Sequence, residues 1–495
     1  MKKHTQSPYE SSKVSYKPSG IEWLGEIPQG WEIRRLKHLT ILFTGESIKD
    51  ADKDKYSIVE NAIPYIATKD IELDSNDVNY NNGMFIQNDD TGFKRAYKNS
   101  TLLCLEGANA GKKIAFLNQE VCFVNKLCCI SNKSKELDSK ALFYFFQGSF
   151  FKNTFFSNIS GLIGGVTTTQ LGNFKIPLPP LQEQKEIAEF LDSKCEKIQN
   201  YIDKKQKLIT LLQEKKQALI NEAVCGRVAC HTADSHCHTE PLGEVSTMES
   251  RFFANAQNDK GNISYKNSGI EYLGLIPHHW EVRSVATLGK FFKGSNISKN
   301  DLQDSGVCVV LYGDIYTKYE IKTKQFQSKI AENFAKDKTQ ILCGDLLFSG
   351  SGETKEDIGK CICYLGNEKA YVGGDVIVLR QMGQDSLFLS YVLNSDYIKY
   401  QKAVISKGEI IIHIYASNLR DLKIPLPPLQ EQKEIAAFLD SKVAQIDSVI
   451  EKTKKQIELI KEYKNTLINE AICGRVACSR DFSPFSKAQN DKKKN

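Results

Sequence analysis

Across 495 residues no uninterrupted apolar run approaches the roughly 20 residues that a membrane-spanning helix requires. The longest hint, IIIHIY at 410–415, is strand-sized and reads as a buried strand. The opening MKKHTQSPYE has no apolar core of a signal peptide. Excess charge of one sign is also lacking: 66 basic residues face 60 acidic ones, a net of +6, which neither demands nor opposes a nucleic-acid partner. The 14 cysteines are scattered, often inside apolar runs such as Leu127-Cys128-Cys129-Ile130. Together these features predict a cytoplasmic chain with reduced thiols.

Catalytic signatures are missing as well. GANAGKK at 107–113 has three residues between its glycines where a P-loop has four, and no Ser or Thr follows its lysine. SGSGETKEDIGK at 349–360 fails the same test. There is no dinucleotide fingerprint, no NPPY-like methyltransferase motif, and nothing resembling a helicase or a nuclease site. Cys230, His231, His236, Cys237 and His238 are zinc-type residues, but they occur in one half only and their spacing fits no standard site. No metal and no cofactor is assigned to the chain.

What is present is written twice. FKIPLPPLQEQKEIAEFLDSK at 174–194 returns at 422–442 with changes only at Phe174/Leu422 and Glu189/Ala437. YKPSGIEWLGEIPQGWEIRRL from Tyr16 returns as YKNSGIEYLGLIPHHWEVRSV from Tyr265, and LINEAVCGRVAC from Leu219 as LINEAICGRVAC from Leu467. A period of roughly 250 residues means two domain-sized copies and excludes a solenoid of short repeats. The polar segments after each copy echo one another too, AQNDKG from Ala256 and AQNDKKK from Ala488.

Between Trp31 and Pro177, and between Trp280 and Pro425, the two middles are nearly equal in length yet hardly align. Both show β-branched and aromatic runs and then helix-period apolar residues. The first has TLLCL, a Gly-rich turn, KIAFL, VCFVNKLCCI and a helix from Ser139. The second has ILCGDLLF, a Gly-rich turn, KCICYL, AYVGGDVIVLR and a helix from Ser386. The reading is one mixed α/β fold with two divergent surfaces on an identical frame.

After each proline stretch a heptad pattern runs for about 40 residues. In the first copy the a positions are Ala188, Cys195, Ile202, Ile209, Lys216 and Ala223, and the d positions Leu191, Ile198, Lys205, Leu212 and Leu219. The second copy repeats the seam from Ala436 to Ala471, with polar exceptions at the matching places Thr453 and Lys464. Two such helices in one chain are natural partners, and Gly226 and Gly474 stop them.

Two divergent domains, each led by an IP..W segment and closed by IPLPPLQEQKEIA.FLD with a long helix, resemble the specificity subunit of type I restriction-modification enzymes. The resemblance covers nearly the whole chain. It implies two target recognition domains, at 17–180 and 264–427, and conserved helices, at 181–227 and 428–475, packed as an antiparallel coiled coil in a pseudo-twofold repeat. The linker 228–263 and the tail 476–495 complete the division. It further implies a non-catalytic subunit that binds a bipartite duplex DNA site, one half per domain. Two methylation subunits dock on the helices, and motor-nuclease subunits join through them. The LQEQ residues Leu181, Gln182, Gln184, Leu429, Gln430 and Gln432 are then the docking candidates. The competing readings are a fused restriction-methylation enzyme and a coiled-coil scaffold or inactive recombinant without DNA specificity.

Base and phosphate contacts call for cationic and amide or hydroxyl side chains on exposed loops. In the first middle these are Lys94, Arg95, Asn109, Lys112, Lys113, Thr168, Thr169 and Gln170. In the second they are Ser349, Ser351, Thr354, Lys355, Lys360 and Lys407.

Overall fold

A computed structural model describes residues 15–57, 59–160, 164–227, 264–408 and 411–476. The 228–263 linker, with the Cys230–His238 cluster, and the tail beyond 476 lie outside the described residues. The chain divides into two compact units, residues 1–206 with 454–495, and residues 207–453. Each unit holds one α/β domain, the first part of one long helix and the last part of the other.

In the first unit the apolar runs pair as an antiparallel sheet in the order Thr40–Thr44, Leu127–Asn132, Thr101–Cys104, Ile114–Phe116. Leu102, Cys104, Ala115, Leu127 and Cys129 are buried from it into one core with Phe123. A second sheet runs Phe85–Gln87, Ala62–Ile66, Val121–Phe123, Arg95–Ala96. Asp138 caps the helix Ser139–Gln147, accepting from Lys140 N and Ala141 N at 3.0 and 2.8 Å.

In the second unit the same order recurs: Gly289–Lys293, Val376–Gln381, Leu346–Ser349, Cys361–Tyr364, extended by Lys322–Thr323. A further five-stranded sheet contains Val307–Val310 and Ala370–Val372. Asp385 caps Ser386–Leu393, its carboxylate accepting from Phe388 N at 2.8 Å.

Several sequence-predicted elements divide. The run from Val121 breaks into Val121–Phe123 and Leu127–Asn132, which belong to different sheets. The helix from Ser139 stops at Gly148, which is extended (φ −65°, ψ 147°), and restarts as Ser149–Ser157. The run from Ala370 breaks at Gly373-Gly374, and the helix from Ser386 breaks at Asn394-Ser395. Of the expected strand at 410–415, Ile410 lies outside the described residues and Ile412–His413 is strand; Ile412 and Ile414 are buried and Ile411 is exposed, so alternate residues face inward.

The two long helices are Leu181–Val224 and Leu429–Ile472, 44 residues each. The heptad seam is the buried stripe: Ala188, Leu191, Ile198, Ile202, Ile209 and Ala223 in one, Ala436, Leu439, Val443, Ile450, Ile457, Leu467 and Ala471 in the other. The pairing is antiparallel. In the second unit the end of the first helix, at Gly226, packs on Trp280, and Trp280 bonds to Glu431 at the start of the second. Lys216, a polar a position, meets Asp447 of the other helix at 2.8 Å. Among the described residues no helix is long and apolar enough to cross a membrane.

Each helix ends on a left-handed glycine, Gly226 at φ 70° and Gly474 at φ 67°. Arg227 N and Arg475 N then bond back to the Glu222 and Glu470 carbonyls at 3.0 and 2.9 Å. Two non-glycine residues share that conformation at matching turns, Trp23 at φ 71° and Tyr272 at φ 63°. A bulky side chain there costs on the order of 1–3 kcal/mol of backbone strain.

Candidate nucleic-acid and partner interfaces

The repeated text makes one set of contacts in each unit. Trp31 is buried and its indole N–H donates to Glu183 at 3.0 Å; Trp280 donates to Glu431 at 3.0 Å. Burial raises the pKa of the Glu183 carboxyl, while the indole N–H favours its ionised form. The next residue, Gln184, is fully buried. Its amide donates to the Pro179 and Glu136 carbonyls, both at 2.8 Å, and its carbonyl accepts from Asp138 N at 2.8 Å. Gln432 makes the same clamp, to the Pro427 carbonyl at 2.8 Å, Gln384 at 2.7 Å and Asp385 N at 3.0 Å. Thus Glu183, Gln184 and their copies bind each long helix to its own domain's Trp segment and helix cap. The helix end arriving from the other copy closes the frame, since Gly474 leaves no room for a Cβ against Pro28 and Trp31, nor Gly226 against Pro277 and Trp280. Sequence spacing gave no signal for the Trp–Glu bonds, which join residues 152 and 151 positions apart.

The other docking candidates face outward. Leu181, Gln182, Leu429 and Gln430 are exposed, and the two glutamines only brace their own helix, to Glu186 and Glu434 at 3.0 Å.

In each unit two candidate loops converge. In the first unit Gly107 N donates to the Gly164 carbonyl at 3.0 Å and Val166 N to the Leu105 carbonyl at 3.1 Å. In the second, Ile414 N donates to the Gly350 carbonyl at 3.0 Å, and Ser351–Gly352 pairs with Ile412–His413. The Gly-rich turn and the loop before the last short helix therefore form one surface in each domain. Lys112 and Thr169 are exposed on the first, and Thr354, Lys355 and Lys407 on the second. Tyr415, exposed and stacked on His413 with ring centroids 6.4 Å apart, joins the second surface; it stood out neither by charge nor by motif.

The remaining candidates are tied into the domains. Lys113 Nζ donates to the Thr68 carbonyl at 2.9 Å, and the Asn109 carbonyl accepts from Lys112 N at 3.1 Å to close the turn. Gln170 caps the helix Thr168–Gly172, accepting from Thr167 N at 2.8 Å, with Thr168 half-buried in its first turn. Ser349 is buried and donates to the Ser351 carbonyl at 2.8 Å; Ser351 is buried against His413 Nδ1 at 3.0 Å. Lys360 is half-buried, its ammonium on the Tyr316 carbonyl at 3.2 Å, and burial lowers its pKa. Arg95 is half-buried and Lys94 exposed, and they form ion pairs with Glu120 at 3.5 Å and Glu46 at 3.0 Å.

The two turns are backed differently. A left-handed glycine ends each, Gly111 against the Phe155 ring and Gly359 against the Lys402 stem. Lys402 is fully buried, and its ammonium donates to the Gly359 and Leu393 carbonyls at 2.5 and 2.6 Å. Burial pushes its pKa down to about 8.

Comparison with known families places this frame. The sequence matches the type I restriction modification DNA specificity domain twice, over residues 28–212 and 277–459. The chain belongs to this family. It is 26% identical over 468 residues to the type I restriction enzyme MjaVIII specificity subunit of Methanocaldococcus jannaschii, covering 91% of this chain and 94% of that one. It is 25% identical over 218 residues to the EcoKI specificity subunit of Escherichia coli, covering 43% and 46%. Among solved structures, a chain from a study of complex assembly and conformational transition in the type I R-M system superposes with a TM-score of 0.62 at 16% identity, covering 91% of this chain and 99% of that one. Both matched stretches of this specificity-domain family run from the proline of the IP..W segment through the loop surface into a long helix, so the Trp–Glu bonds and the glutamine clamps lie inside the family region, and the helix stops at Gly226 and Gly474 lie beyond it.

Proposed function

We propose that the chain is the non-catalytic sequence-specificity subunit of a type I restriction-modification complex. Each α/β domain reads one half of a split duplex DNA site, and the paired helices set the gap. Two methylation subunits dock on the repeated frame, and motor-nuclease subunits join through them. S-adenosylmethionine, ATP and magnesium are used by those partners.

One observation carries this reading: the same internal frame supports, in each unit, a loop pair of different chemistry. Identical frames suit identical partners, whereas half-sites of different sequence need different base-contacting side chains. Exposed leucines recur on the helices at matching positions, Leu181 with Leu429 and Leu211 with Leu459, which favours a partner that docks twice. On the DNA side the reading rests on Lys112, Thr169, Thr354, Lys355, Lys407 and Tyr415. The tied residues, Lys113 and Lys360 among them, shape the loops.

Binding of the assembled complex to its site is the test. Lys112→Glu should weaken contact at the first half-site and Lys355→Glu at the second, each lowering the salt slope by about one. Unchanged binding in both variants would remove these loops from the interface.

A further inference from the structure

Trp23 and Tyr272 stand at the third position of matching turns, where glycine or asparagine is the unstrained choice. Neither ring is taken into a core, since 56% of Trp23 and 67% of Tyr272 stays exposed. The turns around them are held firmly. The next residues, Leu24 and Leu273, are buried. Ser19 N and Ser268 N donate to the Gly25 and Gly274 carbonyls at 2.9 and 3.0 Å. The arginine after each helix stop reaches the same turn, Arg475 Nη2 to the Leu24 carbonyl at 3.5 Å and Arg227 Nη2 to the Leu273 carbonyl at 2.7 Å. In the second unit Tyr400 props the Tyr272 ring edge-on at 4.2 Å between centroids. Burial of the rings does not offset the strain, yet the chain keeps an aromatic residue there in both copies. Strained residues of this kind cluster at binding sites.

We propose that Trp23 and Tyr272 are matching anchors for a repeated protein partner, one per unit, each ring seating in an apolar slot edged by a lysine or arginine. This rests on the proposed docking of two methylation subunits and names where each is gripped. Glu22 and Glu271 are exposed beside the rings. A carboxylate next to an aromatic face favours a cationic neighbour and repels DNA phosphate, which selects protein over duplex. The rings also belong to the repeated frame and not to the divergent loops, as a surface for identical partners requires.

The test uses the full chain co-expressed with its methylation subunit, with Trp23→Gly and Tyr272→Gly made singly and together. Native mass spectrometry reads the number of bound partners, and thermal unfolding of the chain reads strain. Each single variant should melt higher, by about 2–4 °C, because glycine accepts the left-handed backbone. Each should also hold one of its two partners about tenfold more weakly, the double variant both, and Trp23→Tyr neither. A lower melting temperature would show that the ring serves the fold, and a higher one with two partners held at full strength would show that it serves nothing; either overturns the proposal. Altered DNA binding with partner binding intact would overturn it in favour of a duplex contact. If the unaltered chain binds no methylation subunit, the docking reading falls and this anchor with it.

Discussion

Trp31 and Trp280 are two of only three tryptophans in the chain, and each is a buried donor to a glutamate at the start of a long helix. Replacing Trp31 by Phe leaves Glu183 without that donor and should cost about 1–3 kcal/mol, read from urea unfolding. Gly474→Ala should cost about 3 kcal/mol or more, because the added methyl meets Pro28 at 2.4 Å and φ stays at 67°. The two glutamines that flank Glu183 test fold and the proposed docking separately. Gln184→Ala removes a buried clamp and should lower stability by about 1–3 kcal/mol, whereas Gln182→Ala should leave stability unchanged and weaken partner binding.

Lys402 supplies a pH signature at the same scale. Its pKa is about 8 in the folded chain and near 10.5 when free. Between those values the unfolded state binds more protons, so stability should rise with pH from about 8 to about 10.5, by on the order of 3 kcal/mol. Below pH 8 the cost of burying the cation is fully present. Lys402→Met should flatten this dependence in melting curves taken at pH 7.5 and 9.5. Sequence alone could not place that ammonium, because its partners are the Gly359 and Leu393 carbonyls, which no side-chain pattern encodes.

Among the elements, the long helices were the most legible. Their seam is periodic, and the residues marked a and d from Ala188 to Ala471 are largely those the structure buries. The presence of strands was legible in outline, because the apolar runs are short and bounded by glycine, whereas their order in the sheets was not. The breaks at Gly148 and Gly373-Gly374 were not, since apolar composition continues across them while the backbone turns. The candidate site divided by the same logic: residue type found the two loops, but burial decided that Lys112 and Lys355 face out while Ser349 and Gln184 face in. If the paired helices set the half-site gap, a heptad inserted after Gln206 and another after Thr453 should lengthen it. Seven residues add about 10 Å of helix, or roughly three base pairs. The half-site sequences should stay as they were.

For the whole molecule, the central claim is that one chain carries two independent readers on one repeated frame. Exchanging the middle between Trp31 and Pro177 for that of another family member should change one half of the recognised sequence and leave the other, provided the Trp31–Glu183 bond and the Gln184 clamp are kept. The most direct measurement is a genome-wide map of modified bases in cells that express the chain with its methylation subunit. The account predicts a split motif, two short half-sites separated by a gap of fixed length. Assembly of the complex with no modified motif, or with a motif that is continuous, would contradict it.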